Sequence, residues 1–159
     1  MSDFVCESCT IDLNEDIPTA PRKVRGFELL SENAKMPIRA TRKSAGYDFC
    51  AAADVQILPR ETKIVPTDVT AYMPDNEFLD LRIRSGLAGK LILSNGAGVV
   101  DSDYYTKNIG FKLSNFTENA VEIKKGDRVG QGIFCEYRLA DNDIVMSEER
   151  TGGWGSTGK

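Results

Sequence analysis

Short apolar runs alternate with turn residues along most of the chain. Leu79, Leu81 and Ile83 alternate with Asp80, Arg82 and Arg84, and Ile109, Phe111 and Leu113 alternate with Gly110, Lys112 and Ser114. Period-two alternation sends one set of side chains to a buried face and the other to solvent, which predicts strands. Further short runs at 55–58, 63–65, 69–73, 121–123 and 133–137 are separated by Pro59, Pro74, Asn76, "SNG" and "KKGD". Many short strands punctuated in this way predict an all-β sandwich or barrel. No long segment of period 3.6 competes. The one predicted helix is a turn or two in "SGLAGK", with Ser85 as its N-cap.

At 159 residues the chain is expected to form one domain. Residues 1–23 read as an N-terminal extension, charged at Asp3, Glu7, Asp12, Glu15 and Asp16 and closed by Pro18 and Pro21. Residues 24–148 read as the β domain, and 149–159 as a glycine-rich C-terminal segment carrying Trp154, the sole tryptophan. Such a segment costs much entropy to order and buries little, so it orders only where something else supplies contacts.

Composition narrows the chemistry. A net charge of −4 argues against broad nucleic-acid binding. No stretch approaches the roughly 18 apolar residues of a membrane span. The N-terminus lacks the basic and apolar regions of a secretory signal, so the expected location is cytoplasmic. The sequence holds no histidine. His general bases, Ser-His-Asp triads and His metal ligands are thereby excluded, leaving carboxylates, Arg, Lys, hydroxyls, thiols and backbone amides. Cys6 and Cys9 form one C-x-x-C, but no second pair has zinc spacing, so reduced and inert thiols are expected.

Five segments hold candidate chemistry, and each has a bland reading beside it. "GWGSTGK" approaches a phosphate-loop pattern, but that loop must open a helix, and here the chain stops. Its glycine amides, Ser156, Thr157 and nearby Arg150 suit phosphate oxygens, and Trp154 suits a base; a plain tail is the alternative. "RIRSGLAGK" offers an anion site at Arg84, Ser85 and Gly86, or an ordinary capped turn. "SNGAGVVDSDYY" reads as a glycine-containing hairpin that approaches a planar ligand, with Asp101 and Asp103 sharing a face on a regular strand. It also reads as a common Asp- and Gly-rich turn. "KKGDRVGQGIF" reads as a hairpin, with Gln131 pointing either way. "KSAGYDF" places Asp48 at the start of a strand.

Singly none is specific; their order and spacing are. "AGYDF", "RSGLA", "GAGVVDSDYY", "GDRVGQGI" and "RTGGWGSTG" resemble the five motifs of the trimeric deoxyuridine triphosphatases (dUTP pyrophosphatases) over residues 24–159. The resemblance implies a jelly-roll β-barrel, a homotrimer with each C-terminal arm exchanged to a neighbouring subunit, and conversion of dUTP to dUMP and pyrophosphate with Mg2+ held by the phosphates. That reaction limits uracil in DNA and supplies dUMP for thymidylate.

Carried over by motif, Asp101 matches the carboxylate that activates water. Asn95 and the backbone through Gly98 and Val100 match the part that reads uracil, and Tyr104 the ring against deoxyribose. Arg84, Ser85, Gly86 and Gln131 match phosphate contacts. Asp48 matches the carboxylate near the metal waters. Arg150, Gly155, Ser156 and Thr157 match the arm that clamps the phosphates, and Trp154 stands where the family usually has phenylalanine over the base. The chain departs from the pattern at Ile83, where proline is frequent, and at Arg150, four residues before the aromatic rather than five. It departs again at Tyr105-Thr106, where Arg-Gly is usual, with one extra residue before Ile109. Competing expectations are a dCTP deaminase on the same fold, a regulatory protein whose partner meets residues 1–23, and a plain structural jelly roll.

Overall fold

The computed structural model describes residues 23–145 and Arg150. Residues 1–22 of the expected extension, with Cys6 and Cys9, and Trp154, Gly155, Ser156 and Thr157 of the expected lid lie outside the described residues. Among the described residues the chain forms eleven strands: β1 (Gly26–Leu29), β2 (Tyr47–Cys50), β3 (Val55–Ile57), β4 (Thr62–Pro66), β5 (Val69–Tyr72), β6 (Glu77–Ile83), β7 (Leu91–Leu93), β8 (Gly98–Asp101), β9 (Gly110–Asn115), β10 (Val121–Ile123) and β11 (Arg128–Glu136). Every run expected from the alternation overlaps one of them, and the fold is all-β. No helix among the described residues is long and apolar enough to cross a membrane.

The strands pair antiparallel in the orders β2-β11-β6-β8 and β4-β9-β7, with two-stranded pairs β1-β5 and β10-β3. The alternation of β6 is realised directly: Leu79 and Leu81 are buried while Arg82 faces solvent. On β9, Phe111 and Leu113 are buried and Lys112 is exposed. Phe49 of β2 meets Phe111 across the core at 5.8 Å between ring centroids.

Three expectations are corrected. The helix after Ser85 does not form; residues 85–90 are turns. Leu87 N–H donates to Arg84 C=O at 3.0 Å and Leu91 N–H to Leu87 C=O at 2.9 Å, but Leu91 already begins β7. Gly86 and Gly89 weaken helix within a segment too short to nucleate it. The one short helix among the described residues is instead a 3-10 turn at Ser102–Tyr104.

Neither expected hairpin is one. β7 pairs with β9 and β8 with β6, so "SNGA" is a corner that carries the chain from one sheet to the other. Likewise β10 pairs with β3, whereas β11 pairs with β2 and β6. A local turn signal fixes the reversal but not the pairing, which the buried faces decide.

β11 carries glycines because its neighbours are close. A Cβ on Gly130 would stand 2.0 Å from Phe111 Cε1 and 2.7 Å from the Arg82 carbonyl oxygen. Gly130→Ala is therefore expected to destabilise the fold by about 3 kcal/mol, read from urea unfolding midpoints. A variant as stable as the unaltered chain would mean that β11 can move off Phe111.

Candidate active site

The corner between β7 and β8 shapes a cavity. Gly96 takes φ 73°, the left-handed region, and Ala97 N–H donates to Asn95 C=O at 2.8 Å. Gly98 lies so near β6 that a Cβ would meet Leu81 Cβ at 2.9 Å. The resulting cavity of about 390 Å³ opens between the sheets and is lined by Leu81, Leu93, Asn95, Gly98, Val100, Asp101, Tyr104, Lys112 and Arg150, among others. Its size and its mix of apolar walls with a few charges suit a small polar ligand.

Asp101 ends β8, and the 3-10 turn starts at the next residue. Asp101 and Asp103 are therefore not successive same-face residues of one strand, as the spacing suggested. They nevertheless converge. Arg150 Nη2 donates to Asp101 Oδ2 and Arg150 Nε to Asp103 Oδ1, the latter at 2.6 Å. The Arg150 guanidinium also lies over the Tyr104 ring, 5.9 Å from its centroid. The hydrogen bond to Asp103, with the charges of both carboxylates, raises the guanidinium pKa above its ordinary value against the opposing effect of partial burial. Both carboxylates are about half exposed, so the ion pairs position more than they stabilise. Asn95, Gly98, Val100, Asp101, Tyr104 and Arg150 are thus brought to one cavity.

A second group gathers elsewhere. Gln131 of β11 stands opposite Asp48 of β2 on one side and Arg82 of β6 on the other. Register shifts between Arg128 and Gly130, and Arg84 N–H donates to Val129 C=O at 3.4 Å at that bulge. Arg128 Nη1 donates to Asp48 Oδ2 at 2.9 Å. The Gln131 side chain lies over Gly46, where a Cβ would stand 2.2 Å from Oε1. This glycine is what lets the amide lie there. Ser85 and Gly86 are exposed, and a Cβ on Gly86 would meet nothing within 4 Å.

The two groups do not meet within one chain. Asp101 pairs with Phe78 at one end of β6, and Arg84 lies just past the other end. Six residues of strand separate them by about 20 Å. Gln131, opposite Arg82, is about 13 Å along the sheet from Asp101 and two strands across. The topology therefore divides the sequence-predicted site into two separated halves.

Sequence reading overlooked two charged neighbours. Arg128, inside "GDRVGQGI", is the partner of Asp48. Lys112, whose place in the alternation marked it only as solvent-facing, lines the cavity. Cys50 and Cys135 are free, and burial pushes the Cys50 thiol pKa up, which disfavours the reactive thiolate. Among the described residues no three His, Cys, Asp or Glu side chains converge to cage a metal.

Comparison with known proteins identifies the family. The dUTPase family model matches residues 32–158. The deoxyuridine 5'-triphosphate nucleotidohydrolase of Lactococcus lactis is 44% identical over 148 residues, 86% of this chain and 99% of that protein. The mouse protein of the same name is 42% identical over 137 residues, 84% of each. The crystal structure of a dUTPase from Streptococcus mutans superimposes with a TM-score of 0.69 at 38% identity, over 73% of this chain and 98% of that one. The dUTPase of Staphylococcus aureus phage phi11 gives 0.70 at 25% identity, over 79% and 97%. With the family model spanning most of an all-β chain and relatives of this identity and coverage, the chain belongs to the dUTPase family.

Proposed function

We propose that the chain hydrolyses dUTP to dUMP and pyrophosphate, with Asp101 activating the attacking water. The observation that carries the reading is the cavity at the β7–β8 corner, lined together by a carboxylate, an aromatic ring and the Gly98–Val100 stretch. In this reading Asn95 and the backbone from Gly98 to Val100 receive uracil, and Tyr104 packs against deoxyribose. Water attacks the α-phosphorus, its proton passes to Asp101, and pyrophosphate leaves. Arg84, Ser85, Gly86 and Gln131 bind the phosphates. The arm with Arg150, Trp154, Gly155, Ser156 and Thr157 closes over the substrate and excludes bulk water.

Magnesium suits the donors available. Asp48 offers a hard carboxylate oxygen, and the described residues offer no cage, so the ion would be held by substrate phosphates with Asp48 acting through water. When bound, it would neutralise phosphate charge. One structure among the neighbours, of a phi11 dUTPase variant, is described with a structural Mg(II) ion. Another, of the phage 80alpha enzyme, carries dUpNHpp.

The separation of the half-sites supports assembly from more than one copy, and the resemblance to trimeric enzymes makes it a homotrimer, in which the Asp48, Arg84 and Gln131 group of one copy faces the Asp101 cavity of another. Arg150 here meets the carboxylates of its own chain. Exchange of the arm would move it to phosphate, which offers a higher charge than the Asp101–Asp103 pair. The physiological expectation is limitation of uracil in DNA and supply of dUMP, in the cytoplasm.

The test is pyrophosphate release from dUTP, dCTP, dTTP and UTP with magnesium. Turnover is expected for dUTP, with the other three far slower. Absence of dUTP turnover at micromolar protein would refute the reading, and ammonia release from dCTP would replace it with deamination.

A further inference from the structure

We propose that Asn108, clamped by Asp68, is a positioning residue for Tyr104 and thereby sets discrimination between deoxyribo- and ribonucleotides. The inference rests on the dUTP-hydrolysis reading, in which Tyr104 packs against the sugar.

The loop after Tyr104 is the part of this chain that departs from the usual Arg-Gly. Thr106 adopts φ 72°, which glycine tolerates and a β-branched residue resists. A strained loop of this kind persists only where its surroundings over-determine it. Two anchors do so. The Tyr105 hydroxyl donates to Glu28 Oε2 on β1 at 2.8 Å, and its ring stands edge-on to Tyr72 of β5.

The second anchor is Asn108. Its Nδ2 donates to Asp68 Oδ1 at 2.6 Å, and the Asp68 N–H donates back to Asn108 Oδ1 at 2.9 Å. Asp68 is itself fixed: its other carboxylate oxygen accepts from Ser31 Oγ at 2.7 Å and its carbonyl from Leu30 N–H at 2.8 Å. One residue on, Ile109 N–H donates to Val69 C=O at 2.8 Å.

The clamp reaches the aromatic ring through the backbone. The Tyr104 hydroxyl is directed at the Asn108 carbonyl, 3.4 Å away, and Lys107 N–H donates to Tyr104 C=O at 3.1 Å. The carbonyl that orients the phenol thus belongs to the residue that Asp68 holds. A wall rejects one extra hydroxyl only if it cannot yield, since a soft pocket accommodates the larger isostere at modest cost. Asn108 makes this wall stiff.

The experiment compares kcat/KM for dUTP and UTP in three proteins. Asn108→Asp sets two carboxylates against each other and removes the amide donor. The pair Asp68→Asn with Asn108→Asp restores the side-chain hydrogen bond with donor and acceptor exchanged and keeps the one donated by the backbone N–H of position 68, whose left-handed φ asparagine accepts. The single variant is expected to lose about tenfold of the dUTP-over-UTP preference, mostly through KM, and the double variant to recover it. A purely structural role would lower turnover of both nucleotides together and leave the ratio intact. A ratio unchanged in Asn108→Asp overturns the positioning role, as does one that the double variant fails to restore. Should Asn108→Asp not fold, Asn108→Ala reads the same ratio. If the unaltered chain does not turn over dUTP, both readings fall; if it does and the ratio holds, only this one falls.

Discussion

Asp101→Asn is expected to lower kcat for dUTP by about 10²–10⁴-fold while leaving KM nearly unchanged. The substitution is isosteric and removes one thing, a carboxylate able to take a proton from water. Among the described residues nothing else in the cavity replaces it. Asp103 does not line the cavity, and the Lys112 and Arg150 side chains offer donors and no acceptor. Folding should survive. The Asp101 side chain is half exposed, and asparagine keeps an oxygen that can accept from Arg150. A thermal midpoint within about 4 °C of the unaltered protein is expected, since an ion pair at such exposure is worth little. Asp103→Asn makes the contrast. It leaves the base in place and loosens only the guanidinium anchor, so its effect on kcat should be much smaller. Unchanged turnover in Asp101→Asn would remove this residue as the base. Equal losses in both variants would mean that the pair works by holding Arg150.

The strands were legible because a buried face at period two leaves its mark in every few residues, as in Leu79, Leu81 and Ile83. Pairing was not. "SNGA" and "KKGD" announce reversals, yet in both cases the chain turns into a strand of another sheet. That choice depends on which faces meet in the core, information spread over the whole chain rather than held in the turn. The helix after Ser85 failed for a local reason: a capping residue was present, but two glycines and an early strand left no length for it. Asp101, Asn95 and Tyr104 were legible as a set because they sit within ten residues of each other on one corner. The Arg128–Asp48 and Asn108–Asp68 pairs were not, because their members lie 80 and 40 residues apart and meet only when the sheets close. The departure at Tyr105-Thr106 was visible, but only the φ of Thr106 and its two anchors give it a meaning.

The gap between the half-sites yields the prediction with the sharpest arithmetic. Asp101 and Arg84 lie about 20 Å apart along β6, and an arginine side chain cannot bridge that distance to a triphosphate held at Asp101. Reacting groups must stand in near contact, so a site using both must draw them from different copies. Arg84→Ala alone should lose about 10²–10³ in turnover by removing a charge from the phosphates. Mixed in equal amounts with Asp101→Asn and allowed to exchange subunits, two nearly inactive proteins should regain activity. In random assemblies a given site takes an intact Asp101 from its first copy in half of cases and an intact Arg84 from its second in half. About one quarter of unaltered activity should therefore return, provided the sites act independently. Mass spectrometry of the mixture checks that hybrid assemblies form. If they form and activity stays at the level of the parents, both residues serve the same copy's site, and the topology would have to open to bring them together.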